Sequence, residues 1–189
     1  MQRKGRSHEL NLDYGGARSG KSRFAEMLAA QYADAGAVVC FVATAQALDD
    51  EMKERIHRHR LSRDAQWQTV EEPFDPAAVV RAEQADVYLI DCLSLLLANW
   101  VFASRVDESG FWDKLKTLVD ALASSRATCI VVTNEIGLGI VPADPETRLY
   151  RDWLGWMNQT FARSADQVFL VTSGIAVNLK ALPGAIMVH

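Results

Sequence analysis

An α/β fold, with a mostly parallel sheet covered by helices on both faces, is the architecture this 189-residue sequence predicts. Three observations predict it. Short apolar runs rich in β-branched residues recur along the chain, and stretches with apolar residues at three- and four-residue spacing alternate with them. A glycine-rich segment of fixed spacing stands where the first run gives way to the first helical stretch. Strands alternating with helices imply a parallel sheet buried on both sides, whose strands read as continuous apolar runs.

Taken in order, "HELNLDYGG" is the strand that feeds the glycine segment. Such a strand lies mid-sheet, yet Asn11 and Asp13 give it an alternating pattern, which suits a strand with one wet face. Either this strand is less buried than its position requires, or its polar side chains find partners. "KSRFAEMLAAQYADA" (21–35) follows as a helix and "AVVCFVAT" (37–44) as a strand buried on both faces. A basic helix, "DDEMKERIHRHRL" (49–61), comes next, and "ADVYLID" (85–91) is a further strand. "FWDKLKTLVDALASS" (111–125), "TCIVVTNE" (128–135), "ETRLYRDWLGWMNQTFARSA" (146–165) and "DQVFLVTS" (166–173) complete the alternation. Trp153, Trp156 and Phe161 fall on the last helical pattern, as core or subunit contacts rather than a stacking box. The closing "ALPGAIMVH" carries no pattern. One domain over 1–189 is expected, with 1–8 and 181–189 as candidate flexible ends.

Composition narrows the function. Hydrophobic residues make up 49% and charged residues 23%, near globular averages, so disorder is not expected outside the ends. A net charge of −4 argues against a protein that grips nucleic acid on a broad basic surface, so an anionic ligand must be met locally. Cys40, Cys92 and Cys129 are widely spaced inside apolar stretches, which reads as buried thiols in a reducing compartment, the cytoplasm. The start, "MQRKGRSHEL", has the charge of a signal sequence without its apolar segment, and no apolar run approaches a membrane span. A soluble, unprocessed chain is expected.

"GGARSGKS" (15–22) matches G-x-x-x-x-G-K-S, with Gly15, Gly20, Lys21 and Ser22 at the fixed positions and Gly16, Ala17, Arg18 and Ser19 between them. Glycines let backbone N–H groups turn inward around a phosphate, Lys21 supplies a mobile positive charge, and Ser22 offers an oxygen to Mg²⁺. The helix that follows points its positive end at the same anion. In parallel sheets ligands bind beyond the carboxyl ends of the strands, which singles out Thr44, Asp91, Asn134 with Glu135, and Ser173. Asp91 ends "VYLID", where phosphate-loop enzymes place the acid that holds Mg²⁺ or its water. A helix cap before "CLSLLLANW" is the other reading of Asp91. "TNEIGLGIVP" (133–142) is either a loop that senses ligand over the phosphate site or a turn without function.

These segments in this order resemble the bifunctional adenosylcobinamide kinase and adenosylcobinamide-phosphate guanylyltransferase family of cobalamin biosynthesis. The resemblance spans about residues 9 to 180. It is carried by "GGARSGKSRFAE" (15–26), "ATAQALDDEMKERIHRHRLSR" (43–63), "WQTVEEP" (67–73), "LIDCLSLLLANW" (89–100), "VTNEIGLGIVP" (132–142), "MNQ" (157–159) and "VTSGIAVNLK" (171–180). Asn11 and Asp13 depart from the apolar residues expected in the first strand. The resemblance implies a P-loop, RecA-like fold assembled as a homotrimer with the nucleotide near a subunit boundary. It implies two reactions. A nucleoside triphosphate, ATP or GTP, phosphorylates the aminopropanol hydroxyl of adenosylcobinamide. GTP then loses pyrophosphate as its GMP is captured by a histidine and passed to adenosylcobinamide phosphate, giving adenosylcobinamide-GDP. It carries the nucleotide contacts onto the phosphate loop, Ala43, Thr44, Ala45, Arg60, Leu61, Ser62, Arg63, Glu71 and Asp91.

The residues themselves support two chemistries. Phosphoryl transfer needs positioning and charge neutralisation, which Lys21, Ser22, Asp91 and Mg²⁺ supply, and a histidine is superfluous for it. Covalent nucleotidyl transfer needs a nucleophile that is neutral near pH 7, as imidazole is at its ordinary pKa of about 6.5. "RIHRHRLSR" (55–63) offers His57 and His59 among Arg55, Arg58, Arg60 and Arg63. Helix positions two apart differ by about 200° in direction, so one of the two is expected to face the nucleotide. Arg55, Ile56 and His59 share a face, His57 is expected to point elsewhere, and the resemblance independently places the guanylylated histidine at His59. Two rival functions remain, a regulatory nucleotide switch and a kinase without nucleotidyl transfer. No N-K-x-D base-recognition motif is present to favour a guanosine switch.

Overall fold

The structure of the protein, a computed structural model, describes residues 8–62 and 64–188, with the side chains of Arg55, Arg58, His59, Leu61 and Ser62 outside the described set. Seven strands form one sheet in the order β3-β2-β4-β5-β1-β6-β7. They are β1 (Leu10–Gly15), β2 (Val39–Ala43), β3 (Gln68–Glu71), β4 (Val87–Asp91), β5 (Thr128–Asn134), β6 (Gln167–Thr172) and β7 (Ile175–Asn178). All neighbours run parallel except β6 and β7, which pair antiparallel. The predicted α/β class and mostly parallel sheet are therefore what the chain adopts.

Six helices connect the strands: α1 (Lys21–Asp34), α2 (Asp50–Ser62), α3 (Pro76–Arg81), α4 (Leu93–Ala98), α5 (Glu108–Ser124) and α6 (Pro145–Ser164). Their starts have local causes. Asp75, Asp107 and Asp144 each accept a backbone N–H of the first turn, and Pro76 and Pro145 follow two of these caps where a proline costs no hydrogen bond. α4 runs on into one wide turn at Asn99–Ala103.

The sheet separates two apolar layers. On one face α4, α5 and α6 pack large side chains, among them Trp100, Phe111, Trp153 and Phe161, onto Leu10, Leu12 and Val131. On the other, α1 lays Ala25 and Ala29, both fully buried, against Phe41, Leu89, Ile130 and Val132. Alanines four apart let α1 sit close to the strands, which brings its N-terminus over their carboxyl ends. Trp156, by contrast with Trp153 and Phe161, is exposed and stacks on Trp112.

The first strand corrects both sequence expectations. β1 lies between β5 and β6, and Asn11 and Asp13 are 3% and 0% exposed, so the strand has no wet face. Nor do their oxygens find partners: Oδ1 of Asn11 and both carboxylate oxygens of Asp13 have none among the described residues. Leu10 and Leu12 belong to the layer of large side chains, so by the two-residue period of a strand Asn11 and Asp13 face the α1 layer. Burial pushes the Asp13 carboxyl up from 3.8 to about 8, which keeps it protonated at neutral pH.

Candidate functional site

The phosphate loop turns from β1 into α1, and its glycines are dictated by contact. A Cβ on Gly15 would stand 2.3 Å from the Val171 carbonyl and 2.7 Å from Ser19 Oγ, so no larger residue fits. Gly20 has φ +99° and lies against Gly174, where a side chain would be strained. The turn between β6 and β7 braces the loop, since the Gly174 N–H donates to the Ser19 carbonyl at 2.9 Å. Lys21, almost buried, donates from Nζ to the Gly16 carbonyl at 3.2 Å, which bends its ammonium back over the loop. No side chain caps the start of α1 and its first turn holds no acid, so its N–H groups and positive end remain available to an anion. Ser19 Oγ is buried there without a partner among the described residues.

Beside this loop a cavity of about 260 Å³ opens between the ends of β2 and β4 and helix α2. Ser22 and Asp91 both line it, as do Ala43 and Ala45, Glu71 at the end of β3, and Arg60 of α2. Residues far apart in the chain, from Ser22 to Leu95, thus meet at one cavity. Arg60 and Glu71 are paired across the mouth of the cavity, tying α2 to β3. A hydroxyl and a carboxylate are hard oxygen donors, the set expected for Mg²⁺ held mainly by nucleotide phosphates, so Ser22 and Asp91 fit that ion. Asp91 is not the helix cap: α4 begins from Cys92, without a side-chain capping bond. Cys92 also faces the cavity, with its thiol pushed up to about 11, first by burial and then by the charge of Asp91, so it stays protonated.

Two expectations on this wall differ from the structure. Thr44 is fully buried, and its hydroxyl is spent on Cys92, donating to the carbonyl at 2.8 Å and accepting from the N–H at 2.7 Å. It clasps β2 to β4 and presents no side chain to the cavity. His57 does not point away: it lines the cavity beside Lys53, Ile56 and Arg60. These four follow three- and four-residue spacing, and the cavity wraps around enough of α2 to reach a residue about 100° from Ile56. The side chains of His59, Leu61 and Ser62, and all of Arg63, lie outside the described residues.

The polar end of β5 is a network rather than a free loop. Thr133 donates to Asn158 Oδ1 at 2.7 Å, Asn158 Nδ2 donates to the Asn134 carbonyl at 3.0 Å, and Asn134 Nδ2 donates to Ser94 Oγ at 2.5 Å. Sequence reading noted 133–135 and 157–159 separately, and their spatial pairing gives both a structural cause. Ser173, at the β6–β7 turn, adopts φ 51° and leads into Gly174. Sequence reasoning missed Gly174 as a brace of the phosphate loop, because its only signal is a glycine in a distant turn.

As a further check on the site, Asp91→Asn is expected to lower Mg²⁺-dependent turnover by about 10- to 100-fold while leaving the melting temperature nearly unchanged. Activity titrated against Mg²⁺, with thermal melts alongside, checks it. A variant that melts earlier at unchanged activity would return Asp91 to a purely structural role.

Residues 12–179 match the family model described as "Cobinamide kinase / cobinamide phosphate guanyltransferase". The bifunctional adenosylcobalamin biosynthesis protein CobP of Pseudomonas aeruginosa is 41% identical over 175 residues, covering 92% of this chain and 98% of that protein. The bifunctional adenosylcobalamin biosynthesis proteins CobU of Salmonella typhimurium and Escherichia coli are 39% and 37% identical, each covering 88% of this chain and 97% of theirs. With a family model matched from β1 to the residue after β7 and relatives aligned over nearly their whole lengths, the chain belongs to the cobinamide kinase / cobinamide phosphate guanyltransferase family.

Proposed function

We propose that the protein phosphorylates adenosylcobinamide with a nucleoside triphosphate and then transfers GMP from GTP to the product through a guanylylated histidine. Its family supports the two activities, and one observation carries the site: a single cavity joins Ser22 of the phosphate loop, Asp91, and the face of α2 with His57 and Arg60. Lys21 and the open N-terminus of α1 neutralise the transferred phosphoryl group in the first reaction. Ser22 and Asp91 would hold a Mg²⁺, which would neutralise phosphate charge. In the second reaction an imidazole nitrogen attacks the α-phosphorus of GTP, the bond to the bridging oxygen breaks, and pyrophosphate leaves. A phosphate oxygen of adenosylcobinamide phosphate then displaces the histidine and gives adenosylcobinamide-GDP. Arg60, paired with Glu71 in the structure, stands where it can meet the phosphates under attack.

His59 is the proposed nucleophile, on the resemblance that places the guanylylated histidine there. A second reading assigns the role to His57, favoured by its place on the cavity wall. Wild type, His57→Ala and His59→Ala incubated with GTP labelled at the α-phosphate decide between them. The expected result is acid-labile, alkali-stable label on wild type and His57→Ala and none on His59→Ala. The opposite pattern transfers the role to His57, and unlabelled protein in every case removes the covalent mechanism. Pyrophosphate release is the companion readout, because neither a kinase alone nor a regulatory switch produces it.

The proposal extends to a homotrimer in the cytoplasm. Leu138 and Ile140, in the loop after β5, are 90% and 96% exposed, apolar surface of the kind a subunit contact covers. Cys40, Cys92 and Cys129 are free and buried, which suits a reducing compartment, and among the described residues no helix is long and apolar enough to cross a membrane.

A further inference from the structure

On the α6 side of the sheet a second cavity, of about 310 Å³, lies between β1, β6 and α6, with Tyr14, the residue before the phosphate loop, on its wall. It shares no lining residue with the nucleotide cavity. Leu12, Ala162 and Val168 make its walls apolar, while Tyr14, Glu135 and Asn158 put polar groups on it. Asn158 is committed to Thr133 and Asn134, as described above. Glu135 is different. Its backbone N–H donates to the Gly15 carbonyl at 3.0 Å, and its carboxylate accepts the Tyr14 hydroxyl on one oxygen and the Gly137 N–H on the other. A carboxylate has about four acceptor positions, so each oxygen keeps one for a ligand. Glu135 is therefore fixed in direction, half-buried, and still able to accept a proton.

Its place relative to the transferred group follows from two hydrogen bonds. Glu135 is bonded to the carbonyl of Gly15, and Lys21 to the carbonyl of the next residue, Gly16. The Glu135 backbone and the Lys21 ammonium thus meet the loop at consecutive peptides, and the carboxylate projects from there onto the wall of the second cavity. An acceptor whose short aliphatic arm lies on the apolar wall would bring its hydroxyl to the Glu135 end of this cavity.

We propose that Glu135 is the general base of the kinase step, with the second cavity receiving the alcohol-bearing arm of the acceptor and Tyr14 acting as a positioning residue. As the hydroxyl oxygen attacks the γ-phosphorus, its proton passes to the Glu135 carboxylate. The bond from the γ-phosphorus to the bridging oxygen breaks, and the nucleoside diphosphate leaves with that electron pair. Release of the proton to water resets the carboxylate. This assignment rests on the phosphoryl-transfer reading above.

The test uses the full chain with a nucleoside triphosphate and adenosylcobinamide, comparing wild type with Glu135→Gln and Tyr14→Phe. Glu135→Gln keeps the shape and an acceptor for Tyr14 but cannot take a proton. Its kcat for phosphorylation is expected to fall on the order of 10²-fold with little change in the KM for triphosphate. The acid limb of its pH–kcat profile should disappear, and self-guanylylation by GTP, which consumes no acceptor alcohol, should fall far less. Tyr14→Phe should lower kcat by less and move the acid limb without abolishing it. A Glu135→Gln enzyme within about threefold of wild type overturns the proposal. So does an equal loss of both reactions with the acid limb intact, which is the signature of a scaffold residue. A wild type inactive toward both substrates would remove the proposed function and this base together, whereas an active wild type with an unimpaired Glu135→Gln removes the base alone.

Discussion

Lys21→Ala is expected to slow phosphoryl transfer to adenosylcobinamide by about 10³-fold, the loss typical of removing a fixed charge aimed at a developing one. The ammonium is almost buried and already directed onto the loop by its bond to the Gly16 carbonyl, so its orientation costs little at the moment of reaction. The other loop cation, Arg18, is exposed and held at φ 55°, so it is not fixed in place as Lys21 is. Folding should survive, because alanine is the best helix former and Lys21 opens α1, where the variant forfeits roughly 1 kcal/mol of hydrogen bonding. The measurement pairs product mass from adenosylcobinamide and triphosphate with a thermal melt. Near-normal phosphorylation by a folded variant would remove the phosphate loop from the chemistry.

That loop was legible in the sequence because its anion-binding chemistry lies in consecutive residues, although Val171 and Gly174 also hold Gly15 and Gly20 to glycine. Gly15 and Gly20 shape the backbone of eight consecutive residues and Lys21 adds its ammonium, so spacing alone states their chemistry. The buried strands were legible for a similar reason, since β2 is apolar throughout and β4 and β5 carry apolar runs that end in polar residues. The elements that escaped have weak or misleading patterns. β3 is a largely exposed edge strand of sequence QTVE, β7 pairs along one side only, and LSLLLA of α4 is apolar without a helical period. α3 escaped despite the Asp75–Pro76 start signal, being only 6 residues long. The cavity itself depends on packing. Glu71 entered only through resemblance, and its pairing with Arg60 needs β3 at the sheet edge beside α2. His57 was misjudged because angular position on a helix says nothing of how far a neighbouring cavity wraps around it.

Asp13 marks the opposite failure, in which the sequence raised the right question and packing gave an answer outside both options offered. It also carries a large stability effect: Asp13→Val should stabilise the protein, and increasingly so as pH rises. In the unfolded chain this carboxyl ionises near its ordinary 3.8, whereas in the fold it keeps its proton up to about 8. Its folded-state pKa is raised, so between those values unfolding releases a proton and stability falls with pH, by up to about 1.4 kcal/mol per unit. Full development of that penalty by pH 8 amounts to roughly 5 kcal/mol. Below pH 4 a smaller cost persists, about 1–3 kcal/mol for a buried carboxyl with no hydrogen-bond partner. Valine removes both contributions and suits a strand flanked by Val132 and Phe169. Urea unfolding of wild type and Asp13→Val at intervals from pH 4.5 to 8.5 measures the difference directly. The other titrating groups are common to both proteins and cancel, so the gap should widen steadily and level off above pH 8. A gap that stays constant across the series would mean that Asp13 titrates alike in folded and unfolded chains, and a wild type more stable than the variant at pH 7.5 would mean that the buried carboxyl has found a stabilising partner.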